Sequence, residues 1–385
     1  MPRKTGLVNL RLTSFRSYDT LNLSLDESFC PVVLTGQNGA GKTNILEAIS
    51  FLSPGRGLRA ARLADVAKRE DGALPAQVLR LPVRWSVAAL FQTPTDAFQI
   101  GTGTIDGSER RQVKIDGKIY GKQSALGEVF RCLWLTPAQD RLFCTDPAAR
   151  RRFLDRLVQA FDPAHAVRTT NYMNAFKQWS CLLKEGRFDT AWLEALEQQI
   201  ALNGVAISAA RKDVVERIST FLTQEYLGLF PLPVIQLTGV IEKQLQEKPA
   251  VLVEEDFVNY LKSNRKKYAE GGCIAGPHTA DFSVIHRGKN CEANLCSTGE
   301  QKALLLSIIL AQLQAQQKIQ NLCPLLLLDE VGAHLDERRK EILFDILLQL
   351  PTQVWMTGIQ TSAFQSLMKK AQFWEIKESA FAQVA

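Results

Sequence analysis

The run Gly36-Gln37-Asn38-Gly39-Ala40-Gly41-Lys42-Thr43 has the residue types and the spacing needed to hold a polyphosphate. Glycines let the backbone curl until several N–H groups face one anion, and a helix starting beyond them adds its positive end. In that geometry Lys42 reaches the terminal phosphates and the Thr43 hydroxyl ligates Mg2+. Gly36 through Thr43, with Asn44 behind them, are therefore the candidate ATP-binding residues. A second element lies far downstream, where four leucines (325–328) run into Asp329-Glu330. That pattern places two carboxylates at the C-terminal end of a buried strand, where open α/β sheets keep their ligands. Asp329 is expected to hold Mg2+. Glu330 is expected to orient or deprotonate an attacking water, a role worth about 10²–10⁴-fold in rate. Lys42 and Glu330 are the catalytic candidates. A third element, Ser297-Thr298-Gly299-Glu300-Gln301-Lys302, opens a long apolar helix. Ser297 with Glu300 three residues on reads as a capping box.

Positioning these residues takes strands and helices in a definite order. Residues 7–12 and 21–25 alternate apolar and polar side chains, as half-buried strands do, and 31–35 is a short core strand. The glycine loop follows, then apolar residues at helical spacing over 42–52. Residues 78–120 favour strands, with Asp116-Gly117 marking a hairpin, and 132–136 is another core strand. Helices are expected over 151–161, 192–221 and 254–269, with a short β-like piece at 234–240. Strand and helix then alternate through 282–285, 299–316, 324–328, 337–350, 353–357, 362–370 and 373–376. This is α/β layering around a largely parallel core sheet with an antiparallel β lobe. The simplest organisation is one ATPase head split between residues 1–149 and 276–385, with a mainly helical arm inserted at 150–275.

Composition limits the alternatives. Apolar residues make up 46% and charged residues 22%, a globular mix that excludes general disorder. The longest nearly apolar run, 303–313, is broken by Ser307 and Gln312 and falls short of the roughly 20 residues of a membrane span. Met1-Pro2-Arg3-Lys4 leads into no apolar signal core, so a cytoplasmic protein with no membrane partner is expected. The eight cysteines contain no C-x-x-C pair, and only Cys291 and Cys296 lie close; reduced thiols are expected. The net charge is +6, a mild excess, so placement matters more than total. Between 150 and 187 eight basic residues, including Arg150, Arg151 and Arg152, face three acids. Lys262, Lys266 and Lys267 form a second cluster with Arg265. Such stripes suit the phosphates of duplex DNA, giving affinity without base reading. They equally suit a solvated helix face or pairing within the arm.

Ser-x-Gly-Glu-Gln just upstream of a strand ending in Asp-Glu resembles the signature of ABC-type ATPases. The resemblance implies two heads stacked head to tail, with Ser297, Gly299, Glu300 and Gln301 of one copy meeting the nucleotide held by the other. It also implies a D-loop at 332–336, whose Asp336 meets the dimer partner, and a Q-loop at Gln139, which would couple Mg2+ to the neighbouring lobe. No switch histidine follows the strand 353–357, which argues for slow hydrolysis and against a transporter subunit. Ser297 lies 255 positions after Lys42, which leaves room for the inserted arm. No sustained heptad pattern runs through them, so any arm is short.

Split heads of this kind look like the SMC and RecF group. Ser14-Phe15-Arg16-Ser17-Tyr18, the stretch 35–59, 147–155 (PAARRRFLD), Gly276-Pro277-His278-Thr279-Ala280-Asp281, STGEQK and LLLLDEVGAHLD follow the order of the RecF family. Thr279 departs from it, standing where that family usually has Arg. The resemblance places Arg16 and Ser17 near the nucleotide phosphates. It implies a weak, DNA-stimulated ATPase of repair and replication-fork maintenance, cytoplasmic and nucleoid-associated. Its partners would be double-stranded DNA, single-strand/duplex junctions, RecO and RecR, and indirectly the RecA recombinase. A small-molecule P-loop kinase is the other enzyme class with such a loop, but it has no use for a signature.

Overall fold

The structure, a computed structural model, describes residues 5–26, 29–68, 84–104, 110–186, 189–377 and 380–384. The chain forms two compact units. One consists of Met1–Asp140, Leu227–Phe230 and Leu313–Ala385, the other of Arg141–Tyr226 and Pro231–Gln312.

The first unit carries two sheets. In the antiparallel one, β1 (Gly6–Phe15), β2 (Tyr18–Ser24), β4 (Ser86–Gln92), β5 (Ala97–Thr104), β6 (Arg111–Ile115) and β7 (Lys118–Tyr120) lie in the order β2-β1-β4-β5-β6-β7. Asp116 and Gly117, both at positive φ, make the expected turn between β6 and β7. Residues 78–83 and 105–109 of the expected strand region lie outside the described residues.

The second sheet holds β3 (Val32–Thr35), β8 (Cys132–Leu135), β12 (Leu325–Leu328), β13 (Val354–Gly358), β14 (Gln372–Lys377) and β15 (Ala380–Val384). Their order is β15-β14-β3-β13-β12-β8, parallel throughout except for β15 at the edge. The register sets Leu328 beside both Leu135 and Met356, so β8 and β12 end level while β13 runs two residues further, to Gly358. β3, β12 and β13 are buried along their whole length, which is why their sequences are apolar runs rather than alternating ones. One core joins the two sheets. Phe15 of β1, Phe51 after the phosphate-loop helix and Trp85 before β4 meet edge to face, with centroids 5.2–6.0 Å apart. Arg111 of β6 donates to the carbonyls of Phe51, Ser53 and Gly55. A buried cation thus caps the negative end of the helix Lys42–Ser50 and fixes where it stops.

In the second unit the helices Pro147–Phe161, His165–Lys184, Thr190–Ser219, Val240–Glu247, Ala250–Ser263 and Arg265–Ala269 accompany a small sheet. Asp146 and Asp189 cap the first and third by accepting from Ala149 and Trp192 N–H. The core is built on Tyr172, Trp179, Leu193, Ile200, Phe257 and Leu261. The sheet runs β11-β10-β9, with β9 at Pro233–Thr238, β10 at Asp281–His286 and β11 at Cys291–Glu292.

Three details differ from the sequence reading. Residues 282–285 were expected within the α/β alternation, but β10 pairs antiparallel with β9 and buries one face only. The helix Pro147–Phe161 and β10 pack within one compact unit, Arg141–Tyr226 with Pro231–Gln312. The helix expected over 254–269 breaks at Asn264, and 362–370 forms a 3-10 turn, Thr361–Leu367, interrupted at Phe364.

Candidate nucleotide site

β3 delivers the chain to Gly36, and the helix Lys42–Ser50 takes it away from Gly41. Both glycines sit at positive φ, 146° and 107°. A side chain at Gly36 would meet the Ile376 carbonyl at 2.4 Å, and one at Gly41 would meet the Tyr18 hydroxyl at 2.4 Å. Spacing in the motif is thus a steric requirement of this loop. Lys42 is buried and folds back over the loop, its Nζ donating to the carbonyls of Gly36 (2.6 Å) and Gln37 (2.8 Å). Burial lowers its pKa, while Glu330 and Asp329 oppose that shift.

Asp329 follows β12 and is met from two sides. Thr43 Oγ1 donates to its carboxylate at 2.9 and 3.0 Å, and Thr357 Oγ1, at the end of β13, donates to Oδ1 at 2.7 Å. The Glu330 N–H donates to the same Thr357 oxygen at 2.8 Å. Glu330 itself sits at a φ of 50°, an uncommon backbone state for a side chain with a Cβ. It borders a pocket of about 390 Å³ lined also by Gly332, Ala333, Ile359, Gln360 and Phe364. The Thr43 hydroxyl and the Asp329 carboxylate, hard oxygen donors already in contact, fit a shared Mg2+. Gln139 is otherwise engaged: its Oε1 accepts from the Thr136 N–H at 3.0 Å, closing a local capping box.

Around the loop helix, Ser17 and Arg16 both approach, on different terms. Ser17 Oγ accepts from Asn44 Nδ2 at 2.9 Å. Arg16 is forked onto Glu47 by contacts of 2.6 and 2.8 Å and donates to the Asp65 carbonyl at 2.6 Å. Arg59 reaches Glu47 and Asn44 from the other side. Glu47 is fully buried, so its charge is held by two arginines. Glu47, Arg59 and Thr357 are the residues the sequence reading missed. Their signals were an acid four residues after Thr43 and a lone hydroxyl in an apolar strand.

The signature turn lies on the second unit. Glu300 Oε2 accepts from Ser297 N–H (3.1 Å) and Ser297 Oγ (3.0 Å), so its half of the capping box forms. Lys289 binds the other oxygen at 2.5 Å and, with the bonds from Ser297, holds the Glu300 carboxyl down at about 2. Gln301 is buried, and its amide donates to the Cys296 carbonyl at 2.9 Å. Asp336, on the first unit, caps the helix Glu337–Gln349 by accepting from the Arg339 N–H.

The basic residues divide. Arg150 is forked onto Asp281 (2.7 and 2.9 Å), and Arg151 donates to the Ala280 carbonyl (2.7 Å), so both fasten the helix Pro147–Phe161 to β10. This is the internal pairing that the sequence left open as an alternative. Arg152, Lys266 and Lys267 are exposed, and Lys262 pairs with Glu194 at 3.0 Å. Thr279, in place of the usual Arg, closes its own turn through Gly276.

Residues 6–378 match the family model described as RecF/RecN/SMC N terminal domain. The chain is 40% identical over 380 residues to the DNA replication and repair protein RecF of Rhizobium rhizogenes, spanning 98% of each chain. The chain belongs to the RecF family. RecF of Mesorhizobium japonicum is 43% identical over 97% of this chain and 96% of its own. Among solved structures, one described as the recombination mediator protein RecF-ATPrS in the RecFOR pathway superposes with a TM-score of 0.83 at 20% identity. It covers 100% of this chain and 99% of its own. An SMC head domain from Pyrococcus furiosus gives 0.54 at 17% identity, covering 99% of this chain and 96% of its own. The fold is therefore that of the RecF and SMC heads, an ABC-type head of parallel core sheet, antiparallel lobe and helical arm. Among the described residues no helix is long and apolar enough to cross a membrane.

Proposed function

We propose that this RecF-family chain binds and slowly hydrolyses ATP to ADP and phosphate, and that ATP closes two copies on duplex DNA during recombinational repair. The observation that carries the reading is the convergence of Lys42, Thr43, Asp329 and Thr357 at one end of the core sheet. On nucleotide binding Lys42 exchanges two loop carbonyls for phosphate oxygens. A Mg2+ ion held by Thr43 and Asp329 supplies charge neutralisation at those oxygens. Recruiting Gln139 to that ion requires breaking its bonds with Thr136. Glu330 accepts the proton of the attacking water.

Ser297 and Gly299 of one copy close over the γ-phosphate held by the other, and Asp336 lies at the shared boundary. Exposed Arg152, Lys266 and Lys267 contribute phosphate contacts on DNA. RecO and RecR act with the dimer at junctions beside single-strand gaps, where RecA is loaded. The setting is the cytoplasm, at the nucleoid, with weak DNA-stimulated turnover. Relatives named as DNA replication and repair proteins, matched over almost the full chain, support this role.

Sedimentation of the full chain with and without ATP tests the reading. ATP is expected to convert monomer to dimer, and Lys42→Ala to abolish the conversion. Dimers of the Lys42→Ala chain that still require ATP would sink the phosphate-loop assignment.

A further inference from the structure

Cys291 and Cys296 approach to 3.6 Å between sulfurs, on the second unit, directly before the signature Ser297. Cys291 opens β11 opposite His286, and the 3-10 turn Ala293–Leu295 brings the chain back to Cys296. Cys291 is half-buried and Cys296 is 9% exposed. Noncovalent ties already couple this hairpin to the signature helix. Lys289 holds Glu300, and Glu300 holds Ser297. A disulfide needs the sulfurs at about 2.05 Å with a dihedral near 90°, so closure pulls them about 1.5 Å nearer. That pull falls on the residue adjoining Ser297, whose hydroxyl must meet its target within hydrogen-bond distance. Among the described residues no group of three or more potential ligands marks a metal site, so the pair is read as a dithiol.

We propose that Cys291 and Cys296 form an oxidisable dithiol whose conversion to an intramolecular disulfide displaces the Ser297 turn and weakens ATP-driven dimerisation. The dimerisation arm rests on the proposed function above; the disulfide and the displacement do not. The oxidant is a peroxide. The more exposed Cys291 gives up its thiol proton and attacks one peroxide oxygen as thiolate, the O–O bond breaks to leave Cys291 sulfenic acid, and the departing hydroxide takes up that proton as water. Cys296 sulfur then attacks Cys291 sulfur, the S–O bond breaks, and the hydroxide leaves as water with the Cys296 proton. Two electrons pass from the thiols to the peroxide. Burial raises the Cys296 thiol to about 11, which disfavours it as the first thiolate to meet peroxide; its 3.6 Å approach to Cys291 places it for the second step. A dithiol reductant restores both thiols by exchange.

The test treats the full chain with stoichiometric hydrogen peroxide. Mass mapping is expected to find a 291–296 link, lighter by two hydrogen atoms. Amide hydrogen exchange at 297–302 is expected to change in the absence of nucleotide. ATP-driven dimer affinity is expected to fall at least tenfold, to recover with dithiothreitol, and to be insensitive to peroxide in Cys291→Ser. No link, or a link to Cys144, overturns the proposal. So does a link with unaltered exchange, or altered exchange with unaltered dimer affinity. A reduced protein that never dimerises with ATP removes the proposed function instead, and the mass and exchange measurements still decide the dithiol.

Discussion

Thr357 illustrates how little chemistry a site residue has to show in sequence. One hydroxyl has one proton and two lone pairs, and here the proton goes to Asp329 while a lone pair takes the Glu330 N–H. The two acids are therefore aimed by a residue of the neighbouring strand. Thr357→Val keeps the shape and removes the polarity. Single-turnover hydrolysis is expected to fall about tenfold, roughly 1.4 kcal/mol in barrier, with nucleotide affinity within about threefold. Thr357→Ser should restore the rate. Equal loss of rate and affinity would mean a damaged fold rather than a misaimed carboxylate. The phosphate loop and the Asp-Glu pair were legible because their spacing is itself the chemistry. Thr357 and Glu47 were not, because their partners come from strands and turns far away in sequence. The same gap explains Arg16: proximity to the loop could be inferred, but not the buried carboxylate that claims its guanidinium.

Among the elements, the turn 276–280 joins the helices of the second unit to β10. The Tyr172 hydroxyl and His278 Nδ1 share a hydrogen bond of 2.5 Å, and the imidazole lies 4.5 Å from the Phe176 ring centroid. Burial, helped by the nearby Arg151 and Arg211 charges, lowers its pKa to about 4. The unfolded chain protonates this residue near 6.5 and the folded one only near 4. Its contribution to stability is therefore complete above about 6.5 and is lost as pH falls towards 4. Denaturant titrations of the wild type across that window should show the loss, and His278→Asn should flatten the slope. An unchanged slope would show that other groups dominate. Strand–loop–helix at the phosphate site could be read from periodicity, but the partner of β10 could not. Its alternation suits any half-buried strand, and only pairing with β9 reveals the sheet to which it belongs.

For the whole molecule, a net charge of +6 says less than the partition of its basic groups. Arg150 and Arg151 are occupied within the second unit, whereas Arg152, Lys266 and Lys267 face solvent. Replacing those three exposed residues with Gln should flatten the salt dependence of duplex affinity by up to about 0.9 log units per lost phosphate contact. Arg150→Gln should instead lower the melting temperature. A salt slope untouched by the triple variant would place the DNA surface elsewhere.

The seat of β3 in the core sheet has a consequence for synthesis. This strand carries the phosphate loop, yet its flanking strands begin only at Val354 and Gln372. A ribosome that has already delivered every residue of the helical unit still holds a VVLT segment with no neighbour on either side. ATP cannot template the nascent head before those strands have been made, because they flank the strand that leads into its cradle. Until then an apolar, edge-exposed strand must be shielded by chaperones or by transient non-native contacts.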